Sequence, residues 1–155
     1  MKLSWDSIKI SIAGARLSHL VQKDKVWDYG SMIEQVKTVF MQMQKARNCG
    51  DAETIKKYMT LMGYHEFKKQ IQLTGVRDNH DKYMNTQLIE VGIVDVHSQK
   101  KSRPDSFKAL LKEKQALTEA NTRFDATTTK QKRKPFEEYW LFVRQGDWWV
   151  LDEMK

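Results

Sequence analysis

Hydrophobic positions in the first half of the chain recur three and four residues apart, and in the second half they alternate. In residues 4–22, Trp5, Ile8, Ile10, Ile12, Leu17, Leu20 and Val21 fit a helix whose apolar positions fall on two faces. Lys9 and Arg16 lie between one pair of edges; Ser7, Ser11 and Ser18 lie between the other. Such a helix can pack on the domain through one face and offer the second to a membrane or a partner. Lys23-Asp24-Lys25 reads as a linker. Ser31 with Glu34 three residues on is a capping-box start. Met32, Val36, Val39, Phe40 and Met43 then mark one face of a helix running to about Asn48. Cys49-Gly50 ends it, and Asp51 is placed to cap a helix with Ala52, Ile55, Tyr58 and Met59 on one stripe. Thr60 caps a third, carrying Leu61, Tyr64, Phe67 and Ile71. The polar stretch Gly75–Asp81 reads as a turn.

The β-rich part begins with Leu88–Val96, where Gly92 marks a bulge or a close approach. Gln99–Pro104 is a basic loop. Residues 107–117 fit both periods: Phe107, Leu110, Leu111 and Lys114 as a helix, Phe107, Ala109 and Leu111 as a strand. Propensity alone favours the helix. Residues 119–134 are polar, threonine-rich and basic, as in a long hairpin loop. The chain closes on Phe136–Arg144, the turn Gln145-Gly146-Asp147, and Trp148–Leu151, the pattern of a β-hairpin. Glu138, Trp140, Phe142 and Arg144 share one face of its first strand, and Trp149 and Leu151 share a face of the second. So apolar a pair cannot stand alone in water, and the helices must cover it.

At 155 residues the chain has the size of one domain. No run approaches the roughly 20 apolar residues of a spanning helix, and the N-terminus lacks a secretory signal pattern. The single cysteine, Cys49, excludes an internal disulfide. Lysine and arginine number 27 against 20 acidic residues, a net charge of +7. That excess suits an anionic partner: acidic lipid, nucleic acid or an acidic protein face. It is densest at Lys100, Lys101 and Arg103, and at Lys130, Lys132, Arg133 and Lys134, which also fit two solvated loops flanking strands.

Little points to catalysis. His19, His65, His80 and His97 stand apart, with no partner at metal-ligand spacing, so no metal or cofactor is expected. No phosphate loop or serine elbow is present. Asp95, His97 and Glu138 are the residues that could supply an acid–base group to an apolar pocket.

Three helices followed by strands ending in Phe136-x-Glu138-x-Trp140-x-Phe142-x-Arg144, a short turn and Trp149-x-Leu151 resemble the Tim44-like domain. Gly50-Asp51, Thr60 and Tyr64 are similar to that family's helical segment, and Leu88–Val96 stands where it has its first strand. The resemblance covers about residues 30–155, with 1–29 an added N-terminal helix and linker. It implies an α+β cone of the nuclear-transport-factor-2-like type, with three helices on a curved, four-stranded, mainly antiparallel sheet. It also implies that 107–117 is a strand. Family members include the membrane-peripheral anchor of the mitochondrial presequence import motor, a mitochondrial ribosomal protein and bacterial proteins, some membrane-tethered.

The expected function is therefore a non-catalytic scaffold of the kind used in protein transport. Its cone would hold an acyl chain or apolar peptide segment against Phe40, Met43, Tyr64, Phe67, Trp140, Phe142 and Trp149. Its basic loops and first helix would lie at an anionic, bacterial or mitochondrial membrane or a membrane-protein complex. An RNA- or ribosome-binding module is the alternative, with Lys130, Lys132, Arg133 and Lys134 on phosphates. A small-molecule isomerase or cyclase on the same cone is the third reading, and it requires a buried carboxylate or histidine.

Overall fold

The computed structural model describes residues 4–83, 86–98, 104–115 and 136–154, with side chains for 4–72, 86–98, 104–114 and 136–154. Helix α1 (Trp5–Leu20) is followed by a 3-10 turn at Lys25–Trp27, helix α2 (Tyr29–Cys49), a 3-10 segment at Ala52–Tyr58 and helix α3 (Leu61–Tyr83). Strands β1 (Thr86–His97), β2 (Ser106–Gln115), β3 (Phe136–Gln145) and β4 (Trp148–Met154) form one antiparallel sheet in the order β1-β2-β3-β4. This is the α+β architecture expected from the sequence, with the middle one of the three helices wound as 3-10 turns.

Local chemistry accounts for the boundaries. Asp28 caps α2 by accepting from the Ser31 amide at 2.9 Å and the Ser31 hydroxyl at 2.8 Å. The helix thus starts two residues before the capping box predicted at Ser31. Gly50, at φ 68°, ends it in the left-handed conformation. Asp51 accepts from the Glu53 amide, and the Thr60 hydroxyl accepts from that of Gly63. Gly75–Asp81, predicted as a turn, is helical backbone inside α3. Gly75 costs only about 1 kcal/mol in a helix interior, and no proline follows to break it. Residues 107–115 are strand, as the family resemblance implied and propensity did not.

The inner face of the sheet packs against α2 and α3. Register places Leu88 opposite Glu113, Val91 opposite Leu111, Ile93 opposite Ala109 and Val96 opposite Phe107. The three-residue steps from Leu88 to Val91 and from Ile93 to Val96 each span a bulge, which returns the β1 side chains to the inner face. The 3-10 segment and α3 are tied to β4 by a parallel bridge, Met59 to Leu151, and by the Thr60 amide on the Leu151 carbonyl at 2.9 Å.

Helix α1 lies on the other face. A Cβ added to Gly92 would stand 2.7 Å from Ile10 Cδ1, so the glycine gives the helix its seat. Tyr139 of β3 donates to Asp6 at 3.0 Å; burial first, then this carboxylate, raises the phenol above its ordinary pKa.

Candidate functional site

All seven residues predicted to line an apolar pocket come together, and they do so as core. Phe40, Met43, Tyr64, Phe67, Trp140, Phe142 and Trp149 belong to one buried cluster in which none exceeds 4 % exposure. Ring contacts knit its centre: Phe107 stacks on Phe142 at 5.0 Å, meets Trp149 edge-on at 4.9 Å, and Phe40 lies 6.1 Å from Trp140. Trp149 also packs on Trp27 at 5.0 Å and donates through its indole to the Val26 carbonyl at 3.0 Å. The tail tryptophans Trp140 and Trp149 are therefore unavailable as stacking platforms for bases. The seven basic residues Lys100, Lys101, Arg103, Lys130, Lys132, Arg133 and Lys134 lie outside the described residues.

Helix α1 presents an apolar stripe to solvent. Ala13 and Leu17 are buried, but Trp5, Ile8 and Ile12 are 69, 38 and 58 % exposed. Spaced three and four residues apart, they form a single stripe that Arg16 continues and Lys9 flanks. The Lys9 ammonium lies 5.8 Å from the Trp5 ring centroid. The serine edge, Ser7, Ser11 and Ser18, is exposed as well. The two-faced helix read from the sequence is present, with one face docked and the other open.

A second opening lies beside the closing hairpin. A cavity of about 400 Å³ is lined by Asp24, Lys25, Val26, Ser31, Gln35, Asp147, Trp148 and Trp149. Its wall is held by Arg144, which reaches Asp24 at 2.7 Å, Asp105 at 3.0 Å and the Gly146 carbonyl at 2.6 Å. The Val26 amide and then this guanidinium hold the Asp24 carboxyl below its ordinary pKa. Arg144 is thus engaged by three aspartates, Asp147 included.

Of the candidate acid–base residues, Asp95 and His97 lie 2.9 Å apart, both about half exposed at the end of β1. Glu138 faces inward and accepts from the Trp140 indole at 3.2 Å. Its neighbour there is Glu113, which the sequence reading did not single out. Glu113 is fully buried. Burial first, then the Glu138 carboxyl, pushes its pKa up to about 9, against a downward pull from Arg47. Among the described residues no helix is long and apolar enough to cross a membrane, and no group of side chains could hold a metal ion.

No family model matches the chain. No curated protein matches it. Among solved structures it is similar to the crystal structure of the intermembrane space region of the chloroplast protein ARC6, at 11 % identity and a TM-score of 0.41, covering 79 % of this chain and 93 % of that one. This is a distant likeness of fold, and nothing below rests on it.

Proposed function

We propose that the chain is a non-catalytic scaffold that seats on an anionic membrane surface through the outer stripe of α1. The observation that carries this reading is the exposure of Trp5, Ile8 and Ile12 on a helix whose opposite face is buried in the domain. Tryptophan and isoleucine facing water side by side on a packed helix need a cover, and flanking lysine and arginine favour an acidic one. Fully covering the three apolar side chains is worth roughly 1–2 kcal/mol each at their present exposure. Lys9 and Arg16 add about 1 kcal/mol each near an acidic leaflet. The sum, about 5–8 kcal/mol, corresponds to a dissociation constant of roughly 0.001–0.2 mM. Seating is reversible, as befits a peripheral domain. An acyl chain or apolar segment meets this stripe, because the anticipated lining of the cone is already packed on itself.

Flotation with liposomes tests the reading. Co-migration with anionic vesicles, loss on neutral ones, and loss in the Trp5→Ser/Ile12→Ser variant are expected. Equal flotation of wild type and variant would remove α1 from the account, and salt-sensitive binding of RNA in place of vesicles would support the nucleic-acid reading.

A further inference from the structure

Four lysines stand together where the 3-10 segment meets α3. The Lys56 and Lys68 ammoniums lie 5.5 and 6.0 Å from the centroid of the Tyr64 ring, and that of Lys57 lies 5.1 Å from the Tyr58 ring. Lys69 follows Lys68 on α3. All four are exposed, and among the described residues none is held in an ion pair. Of the acids close by, Glu53 is engaged by the Tyr64 hydroxyl at 2.7 Å, and Asp51 caps the 3-10 segment. The exposed face of α3 extends the cluster in two rows. Leu61, His65 and Lys68 follow one another at spacings of four and three, and so do Met62, Glu66 and Lys69. Each row begins in an aliphatic side chain, Leu61 at 67 % and Met62 at 79 % exposure, and reaches a lysine about 10 Å along the helix axis. The opposite side of the helix, with Tyr64, Phe67 and Ile71, is buried in the core.

We propose that this face is a docking surface for an acidic amphipathic peptide segment of another protein. Its carboxylates meet Lys56, Lys57, Lys68 and Lys69, and its apolar side chains meet Leu61 and Met62. The unpaired lysines call for an anionic partner. The aliphatic pair and Glu66 decide its class. A nucleic-acid strand carries a charge at every nucleotide, and laid along these rows it would set phosphates on Leu61, Met62 and Glu66. An acidic leaflet would likewise meet Glu66. A peptide places carboxylates at one end of the contact and apolar side chains at the other, and a helix does so with residues about seven apart. The surface is separate from the stripe of α1, which lies across the sheet from α3, so the two proposals stand or fall independently.

The probe is a fluorescein-labelled, alanine-based helical peptide of about 20 residues, with two neighbouring leucines and, seven positions on, two glutamates. Its polarisation is followed as the full chain is added. Saturable binding that weakens with salt is expected, and the same peptide with lysine for glutamate should not bind. Lys68→Glu/Lys69→Glu and Leu61→Ser/Met62→Ser should each weaken binding about tenfold or more, while Lys108→Glu, which reverses an exposed charge on β2, should change it less than about threefold. Every substituted side chain is exposed, so the variants keep the fold. Failure of the acidic peptide to bind, or equal binding of the lysine peptide, would overturn the proposal. So would an undiminished affinity in Leu61→Ser/Met62→Ser, since charge alone would then suffice. Oligouridine or acidic phospholipid vesicles displacing the peptide and binding more tightly through Lys68 and Lys69 would also overturn it, and would assign the face to nucleic acid or to lipid.

Discussion

Replacing Glu113 by glutamine should stabilise the protein by an amount that grows with pH. In the folded chain its carboxyl is pushed up to about 9, by burial before all else, from a reference near 4.5. Between those values the native state holds a proton that the unfolded chain has released. Stability is then complete below pH 4.5 and falls as the pH rises toward 9. One pKa unit is worth about 1.4 kcal/mol, so the wild-type deficit relative to an always-neutral isostere is under about 1 kcal/mol at pH 5. It reaches about 3 kcal/mol at pH 7 and about 5 kcal/mol at pH 8.5. Glutamine keeps the shape and a neutral donor–acceptor pair, so little else changes. Urea unfolding of both proteins at the three pH values, followed by tryptophan fluorescence, measures the difference. Parallel stabilities within about 0.5 kcal/mol across that range would show that Glu113 is ionised or solvated in the native state, and the reasoning would fail.

Arg144→Met removes the guanidinium that pairs with Asp24 and Asp105 and so loosens the hold on the closing hairpin. A loss of about 2 kcal/mol is expected, visible as a fall in Tm of roughly 4–8 °C. Because Asp24 titrates below its ordinary value of 3.8, this loss should shrink as pH falls below that value; an unchanged Tm at pH 7 would contradict the role given to Arg144. Gly63→Ala places a Cβ 2.7 Å from the Asp152 carbonyl oxygen, a backbone atom that cannot step aside. Helix α3 must lift from β4, at a cost of about 2 kcal/mol in urea melts; a neutral substitution would mean that the contact is looser than the packing shows.

Much of this fold could be read from residue order because its local signals agree. Phe136–Leu151 specified a hairpin, its turn and its inner face, and Trp140, Phe142, Trp149 and Leu151 are all buried there. Gly50, Asp51 and Thr60 punctuated the helices where they do in the structure. Other elements were set by tertiary context. Periodicity left 107–117 open, since a strand packed on both faces places Leu110 in the interior along with Phe107 and Leu111. The same ambiguity concealed Glu113: once the segment is a strand, the alternation Phe107, Ala109, Leu111 ends on it. Arg47 likewise extends the stripe of Val36, Phe40 and Met43 by one turn. A charged residue at an apolar position is easily passed over as the end of a pattern, when it is a member of it. The aromatic residues singled out lie in one buried cluster, but grouping does not tell a lined pocket from a filled core, because both bury the same side chains.

The seat proposed for α1 is tested most directly by paramagnetic broadening on small anionic bicelles doped with a nitroxide-headgroup lipid. Trp5 and Trp148 are both substantially exposed, one on the outer stripe of α1 and the other at the closing hairpin. The account predicts that the Trp5 indole signal and the amides of Ile8, Ile12 and Arg16 broaden, while Trp148 stays sharp. Broadening centred on Trp148, or spread evenly over the surface, would contradict it.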